Sequence, residues 1–143
     1  MKVRDLMTTQ VSTVNPNTPI NQIAQQMKSL DVGSIPVCDQ GNRAVGIVTD
    51  RDIVLRSVSA GNMQASAQDV MTSELVYATP DMHAHEAADI MAKQQIRRLP
   101  VVENGRLVGI ISIGDLATVN IYVNEAGDAL SDISRPSRPE MRQ

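Results

Sequence analysis

Two short segments bring hydroxyl and carboxylate groups together at one spacing: Thr49-Asp50-Arg51-Asp52 and Ser112-Ile113-Gly114-Asp115. In each, an apolar run ends on a hydroxyl residue, and an aspartate follows three positions later. A Ser or Thr with an acid three residues on is the pattern of a helix capping box. The same geometry suits a ligand. A helix N-terminus attracts phosphate through its unpaired N–H groups, the hydroxyl adds a hydrogen bond, and the two oxygens of a carboxylate match the vicinal hydroxyls of a ribose. Neither reading excludes the other. Arg97 and Arg98 are adjacent guanidinium groups that can pair with phosphate oxygens or simply face solvent at a strand start.

Other reactive side chains point to less. His83 and His85 fall on a predicted helix, where residues two apart diverge by about 200°, so a shared metal ion is not expected. Cys38 is the single cysteine and lies in the apolar run Ile35-Pro36-Val37-Cys38, which reads as a buried, inert thiol. No His stands near Cys38 in an activating motif, there is no nucleophile elbow, and the plausible carboxylates sit at helix starts. The chain is therefore read as a protein that is not an enzyme and requires no cofactor.

Composition narrows the class. The 143 residues suffice for one compact domain or two small halves, and a domain of that size buries roughly 70% of its unfolded surface. The core must be aliphatic, because Phe and Trp are absent and Tyr occurs twice among eight Met and many Val, Ile, Leu and Ala. A net charge of −3 with interspersed signs, and no aromatic platform, argues against nucleic-acid binding. The absence of a long apolar run or an apolar N-terminal stretch predicts a cytoplasmic protein that does not enter a membrane.

An internal repeat organises the rest. Asp5-Leu6-Met7-Thr8 recurs as Asp69-Val70-Met71-Thr72, and Pro16, Ala24 and Met27 recur as Pro80, Ala88 and Met91, all shifted by sixty-four positions. Ile35-Pro36-Val37 then returns as Leu99-Pro100-Val101. Asn42 is an extra residue in the first turn, after which Val45-Gly46-Ile47-Val48-Thr49 matches Val108-Gly109-Ile110-Ile111-Ser112, and Asp52 matches Asp115. The period is too long for a solenoid and indicates a duplicated subdomain.

Each copy reads as β-α-β-β-α. Strands are predicted around Val11–Val14 and Leu75–Ala78. A helix follows, capped by Thr18 with Pro19 in its first turn, and buries Ile20, Ile23, Ala24, Met27 and Leu30. In the second copy Asp81 is the predicted cap, and Ala84, Ala87, Ala88 and Met91 continue the stripe. Hairpins follow over 34–38 with 44–49, and over 99–102 with 107–112 around Asn104-Gly105. Second helices begin near Asp50 and Gly114. The strands are nearly all apolar, so both sheet faces should be covered. The fold class is α/β (α+β), two pseudo-symmetric motifs packed through their sheets, with boundaries at 1–62, 63–123 and a C-terminal extension at 124–143. Toward that extension Leu116, Val119, Val123, Ala126, Leu130 and Ile133 alternate spacings of three and four, the pattern of a helix-packing seam that serves this chain or a second subunit. Ser134 to Pro139 reads as a frayed tail without chemistry.

The ordered set of motifs, present twice, resembles a tandem pair of CBS domains, the family named after cystathionine β-synthase, over residues 1 to 123. The resemblance rests on the two Asp-hydrophobic-Met-Thr openings, the two hydrophobic-Pro-Val strands, and the two Gly-hydrophobic-hydrophobic-Thr/Ser-x-x-Asp segments. It implies clefts between the halves that take adenosine-containing ligands such as AMP, ADP, ATP, S-adenosylmethionine or NAD, and regulation of an effector protein, here from a stand-alone homodimer. It also implies residue roles. Asp52 and Asp115 would hold ribose hydroxyls, and Thr49 and Ser112 would contact ribose or phosphate. Arg97 and Arg98 would meet phosphates, a position held by Gly33 and Ser34 in the first copy, where Arg51 could substitute. Thr13-Val14 and Tyr77-Ala78 would form the adenine-contacting edges. The two clefts are expected to differ in affinity.

Overall fold

The computed structural model describes residues 1–118 and 123–134. Its elements run α1 (Val3–Leu6), α2 (Ile20–Leu30), β1 (Ser34–Cys38), β2 (Ala44–Thr49), α3 (Asp50–Ile53), a π-helical turn (Val54–Val58), α4 (Ala67–Val70), α5 (Ala84–Gln94), β3 (Arg98–Glu103), β4 (Arg106–Ser112), α6 (Ile113–Ala117) and α7 (Val123–Ile133). The chain forms two compact units. One comprises Met1–Thr9, Tyr77–Glu103 and Val108–Gln143, the other Gln10–Val76 and Asn104–Leu107. Among the described residues two two-stranded sheets form, β1 with β2 and β3 with β4, and the β1–β2 pair is antiparallel with Ser34 opposite Thr49.

Each repeat sends its opening segment into the unit built mainly from the other repeat. Thr8 forms an antiparallel bridge with Ile110 on β4, and Thr72 forms the matching bridge with Ile47 on β2. Both bridges carry two backbone hydrogen bonds of 2.8–3.0 Å. The approach requires glycine. A Cβ on Gly46 would lie 2.8 Å from both the Met71 Sδ and the Thr72 carbonyl, and one on Gly109 would lie 2.8 Å from Met7 Sδ and 2.9 Å from the Thr8 carbonyl. The aspartates of the opening motif shape its short helices: Asp5 accepts from the Lys2 N–H and Asp69 from the Ser66 N–H.

The same segments replace side-chain caps on the long helices. The Ile20 N–H donates to the Ala65 carbonyl, and the Ala84 N–H to the Met1 carbonyl. The N-caps are accordingly Pro19 and His83, neither with a side-chain cap bond, rather than the predicted Thr18 and Asp81. Thr18 Oγ1 instead accepts from the Asn15 N–H, and the Asp81 carboxylate accepts from the Arg4 guanidinium at 2.6 Å. That hydrogen bond, reinforced by the arginine's charge, holds the exposed Asp81 carboxyl below its usual range.

The predicted strands at 11–14 and 75–78 shrink to single parallel bridges, Val14 with Val37 and Ala78 with Val101. Proline explains the truncation. Val14 donates to the Pro36 carbonyl and accepts from the Cys38 N–H. The next rung of a parallel ladder would need an N–H from Pro36, which has none; Pro100 ends the second ladder in the same way. The two-residue Asn104-Gly105 turn forms as expected, both residues at positive φ, whereas Gln40–Asn42 is a 3₁₀ turn that absorbs the inserted residue.

Packing follows the predicted stripes in part. Ile20, Ile23 and Met27 join Ile35, Val37, Val48 and Val70 in one core, while Ala84, Ala87, Ala88, Met91, Leu99, Ile111 and Leu116 are buried in the other unit. Ala24 and Leu30 are exposed, unlike their predicted placement. β1 and most of β3 are buried on both faces, but β2 and β4 alternate between buried and half-buried residues, so cover is not complete there. In the predicted C-terminal seam, α6 ends at Ala117, and α7 packs against α5 and α6 of its own unit. It buries Ala129 and leaves Leu130 exposed. Val119 and residues 135–139 lie outside the described residues, as do the side chains of Val123 and Ala126.

Gly46→Ala is expected to destabilise the protein by about 1–3 kcal/mol, because Met71 and the Thr72 backbone must move. At Gly127 on α7, by contrast, an added Cβ would meet nothing within 4 Å. Gly127→Ala should therefore stabilise by up to about 1 kcal/mol through helix propensity. Urea unfolding of both variants checks the contrast; equal effects would show that the close approach at Gly46 is not tight.

Candidate functional site

The hydroxyl–carboxylate pairs form where expected, and in both units they form capping boxes. The Asp52 N–H donates to Thr49 Oγ1 and the Thr49 N–H to Asp52 Oδ2, each at 3.0 Å. The Asp115 N–H donates to Ser112 Oγ at 3.2 Å and the Ser112 N–H to Asp115 Oδ2 at 2.8 Å. One carboxylate oxygen in each pair is thus used by the backbone. The other oxygen of Asp52, Oδ1, lies 4.0 Å from Arg56 Nε. Both aspartates are half-buried, which keeps them within reach of a small molecule while the cap fixes their orientation.

The remaining predicted residues gather by unit. In one, Ser34 stands opposite Thr49 across the β1–β2 ladder, and the Asp50 N–H donates to the Gly33 carbonyl at 2.9 Å. In the other, the Ile113 N–H donates to the Arg97 carbonyl at the same distance, which places Arg97 and Arg98 beside the start of α6. Arg51, Arg97 and Arg98 are all exposed. Among the described residues none of the three forms an ion pair with an acid.

On the predicted adenine edges, Val14 and Ala78 are buried and spend both backbone groups on their bridges. Beside them, Thr13 is half-buried and Tyr77 is 47% exposed, so these two residues are the accessible part of each edge. A polar depression of about 310 Å³ is lined by Thr13, Val14, Gln22, Gln26, Asp39 and Asn42 among others. It includes the edge residues but lies at the Cys38 end of β1, away from Thr49 and Asp52 at the Ser34 end.

The histidines depart from the sequence expectation. His83 precedes α5 with an extended backbone, so helical spacing does not apply; its Nδ1 lies 2.9 Å from Nδ1 of His85. Among the described residues no group of three or more His, Cys, Asp or Glu could hold a metal ion, and no helix is long and apolar enough to cross a membrane.

Two copies of one motif, each ending in a capped hydroxyl–aspartate pair and each carrying a short parallel bridge, define a duplicated α/β module. The CBS domain profile matches residues 3–59 and 67–121, and the chain belongs to the CBS-domain family. It is 47% identical over 133 residues to the CBS domain-containing protein YhcV of Bacillus subtilis, covering 92% of this chain and 94% of that protein. Among solved structures, CBSX2 in complex with AMP is similar at 25% identity with a TM-score of 0.75, covering 86% of this chain and 98% of that one. The CBS domain pair of MJ0100, in complex with 5′-methylthioadenosine and S-adenosyl-L-methionine, is similar at 27% identity with a TM-score of 0.72, covering 82% and 94%.

Cys38 borders the depression but is buried, and burial, followed by the charge of Asp39, pushes its thiol up to about 11 from 9.0. An acid whose folded pKa is raised contributes no penalty below its unfolded pKa, so stability is retained below about pH 9 and declines as pH rises toward 11. A thiol-specific reagent at pH 8 should react with Cys38 far more slowly in the native protein than in urea, and Cys38→Ala should lose the alkaline decline. Rapid labelling of the native protein would contradict the buried placement.

Proposed function

We propose that this chain is a ligand sensor in which each unit takes an adenosine-containing small molecule, with AMP, ADP and ATP as the first candidates and S-adenosylmethionine and NAD as further ones. The observation that supports this best is the repetition of one pre-oriented hydroxyl–carboxylate pair at the same place in both repeats. A backbone cap on Oδ2 holds each carboxylate and leaves Oδ1 to face a ligand. In this reading a ribose hydroxyl donates to Oδ1 of Asp52 or Asp115, Thr49 and Ser112 contact ribose or phosphate, and Thr13 and Tyr77 border the base. The AMP, 5′-methylthioadenosine and S-adenosylmethionine complexes of the two similar structures support the ligand class. In this reading the ligand is bound and released unchanged.

A route from ligand to partner runs through Arg56. Its NH1 donates to the carbonyls of Val70 and Met71 at 3.3 and 3.0 Å, while its Nε faces Asp52. A ribose hydroxyl on Asp52 competes with that weak ion pair and changes the hold on the Met71 segment. Coupling then requires the ligand to favour one arrangement of that segment over another. The exposed Val54, Leu55 and Val58, directly after α3, support a homodimer or an effector protein as the recipient.

A second reading is favoured by the capping boxes themselves: an interaction module in which the aspartates only cap α3 and α6. Thermal unfolding with AMP, ADP, ATP, S-adenosylmethionine and NAD separates the two. A ligand at 100 times its Kd adds about 2.7 kcal/mol, which raises Tm by roughly 5–10 °C. Asp52→Ala or Asp115→Ala lowers the unliganded Tm by the loss of a cap, about 1 kcal/mol, so the ligand-induced shift is the quantity to compare. Its loss in one variant supports the sensor; no shift with any compound in the wild type supports the interaction module.

A further inference from the structure

We infer that the two units select different ligands: the unit containing Arg97 and Arg98 takes a phosphorylated adenosine compound, and the unit containing Asp50 takes an adenosine compound without phosphate. The inference rests on the nucleotide reading above and narrows it.

The backbone frames are equivalent. Asp50 N–H to Gly33 carbonyl and Ile113 N–H to Arg97 carbonyl are the same hydrogen bond in the two repeats, both at 2.9 Å, and each precedes the same capping box. The side chains hung on that frame carry opposite charge. Beside Ser112 and Asp115 stand Arg97, Arg98, Ile113 and Gly114; beside Thr49 and Asp52 stand Gly33, Ser34, Asp50 and Arg51. At these positions one unit presents two arginines and one aspartate, and the other one arginine and two aspartates, with Arg56 a further cation 4.0 Å from Asp52.

Asp50 is held in a particular place. A Cβ on Gly33 would lie 3.2 Å from Asp50 Oδ2, so the carboxylate rests against the glycine, beside the place where the other unit begins the Arg97 side chain. Its Oδ1 accepts from the Arg51 N–H at 2.8 Å, which keeps it there. A phosphate entering this unit would meet the exposed Asp50 carboxylate beside the backbone position that carries Arg97 in the other unit. Like charges at such range disfavour binding, and a neutral or cationic 5′ substituent escapes the repulsion. Arg51 is a single guanidinium, and Arg56 is tied to the Val70 and Met71 carbonyls, so neither replaces an adjacent arginine pair. In the other unit the position of Arg51 is held by Gly114, where an added Cβ would make an ordinary 3.5 Å contact with Ser112 Oγ, so no side chain competes for the space beside that hydroxyl.

Isothermal titration with AMP, adenosine and 5′-methylthioadenosine tests the assignment. The panel is the wild type, Asp50→Asn, the Arg97→Gln/Arg98→Gln double variant, Asp52→Ala and Asp115→Ala, the last two also as Asn to retain a cap acceptor. AMP should fill one site, lost in the Asp115 variants and weakened at least tenfold in the arginine variant, with adenosine affinity and unliganded Tm unchanged there. Adenosine or 5′-methylthioadenosine should lose a site in the Asp52 variants, and Asp50→Asn should raise AMP affinity for that site on the order of tenfold. AMP binding that survives the arginine change, or that follows Asp52 rather than Asp115, overturns the inference while leaving the nucleotide reading intact. Absence of binding by all three compounds overturns both.

Discussion

The backbone of Gly46 lies within van der Waals reach of Met71 and Thr72, and the backbone of Gly109 within reach of Met7 and Thr8. These two contacts set much of the remaining structure. Each lets the opening strand-like residue of one repeat bridge the second hairpin strand of the other, and each draws in a carbonyl that completes the first turn of a long helix, Ala65 for Ile20 and Met1 for Ala84. A methyl group at either glycine would push that segment away and leave backbone N–H groups of a helix start without partners. Unsatisfied backbone donors are costly when buried, so the glycine and the Asp-hydrophobic-Met-Thr motif have to occur together.

The candidate site inherits its precision from this arrangement. β2 and β4 are pinned along one edge by the bridging Thr72 and Thr8 and along the other by β1 and β3, so the hydroxyl residue at each strand end has little freedom. The capping box then orients the aspartate three residues on. One pair of interactions thereby serves stability and leaves the second carboxylate oxygen outside the cap, so the capping role of Thr49–Asp52 and Ser112–Asp115 is compatible with the proposed binding role. Around the capping boxes the two units share their backbone hydrogen bonds and differ in charge, and charge is the property that a phosphate group reads.

The repeat, the hairpins, the Asn104-Gly105 turn and both capping boxes are legible in the sequence because each depends on residue types at fixed spacings. The helix caps are not, since Thr18 and Asp81 are sound local candidates but the caps come from a segment of the other repeat, about 45 residues from Ile20 and about 83 from Ala84. The strands at 11–14 and 75–78 look longer in the sequence than they are, because their limit is set by a missing N–H on Pro36 and Pro100, residues of the partner strand. The spacing puts His83 on a helix that begins one residue later, and that single residue brings its ring against His85. The C-terminal periodicity spans α6 and α7, and hydrophobic spacing alone does not mark the end of α6 at Ala117. The candidate site residues can be named by type and spacing, but the position of the Asp50 carboxylate over Gly33 needs the fold.

The most direct test of adenosine-compound binding at the capped hydroxyl–aspartate pairs is titration of the ¹⁵N-labelled protein with AMP, followed through backbone amide shifts. The largest changes are expected at Tyr77, Arg97, Arg98, Ser112 and Asp115. Changes concentrated instead around the depression at Gln22, Gln26, Asp39 and Asn42, or no changes at saturating AMP, would contradict that placement.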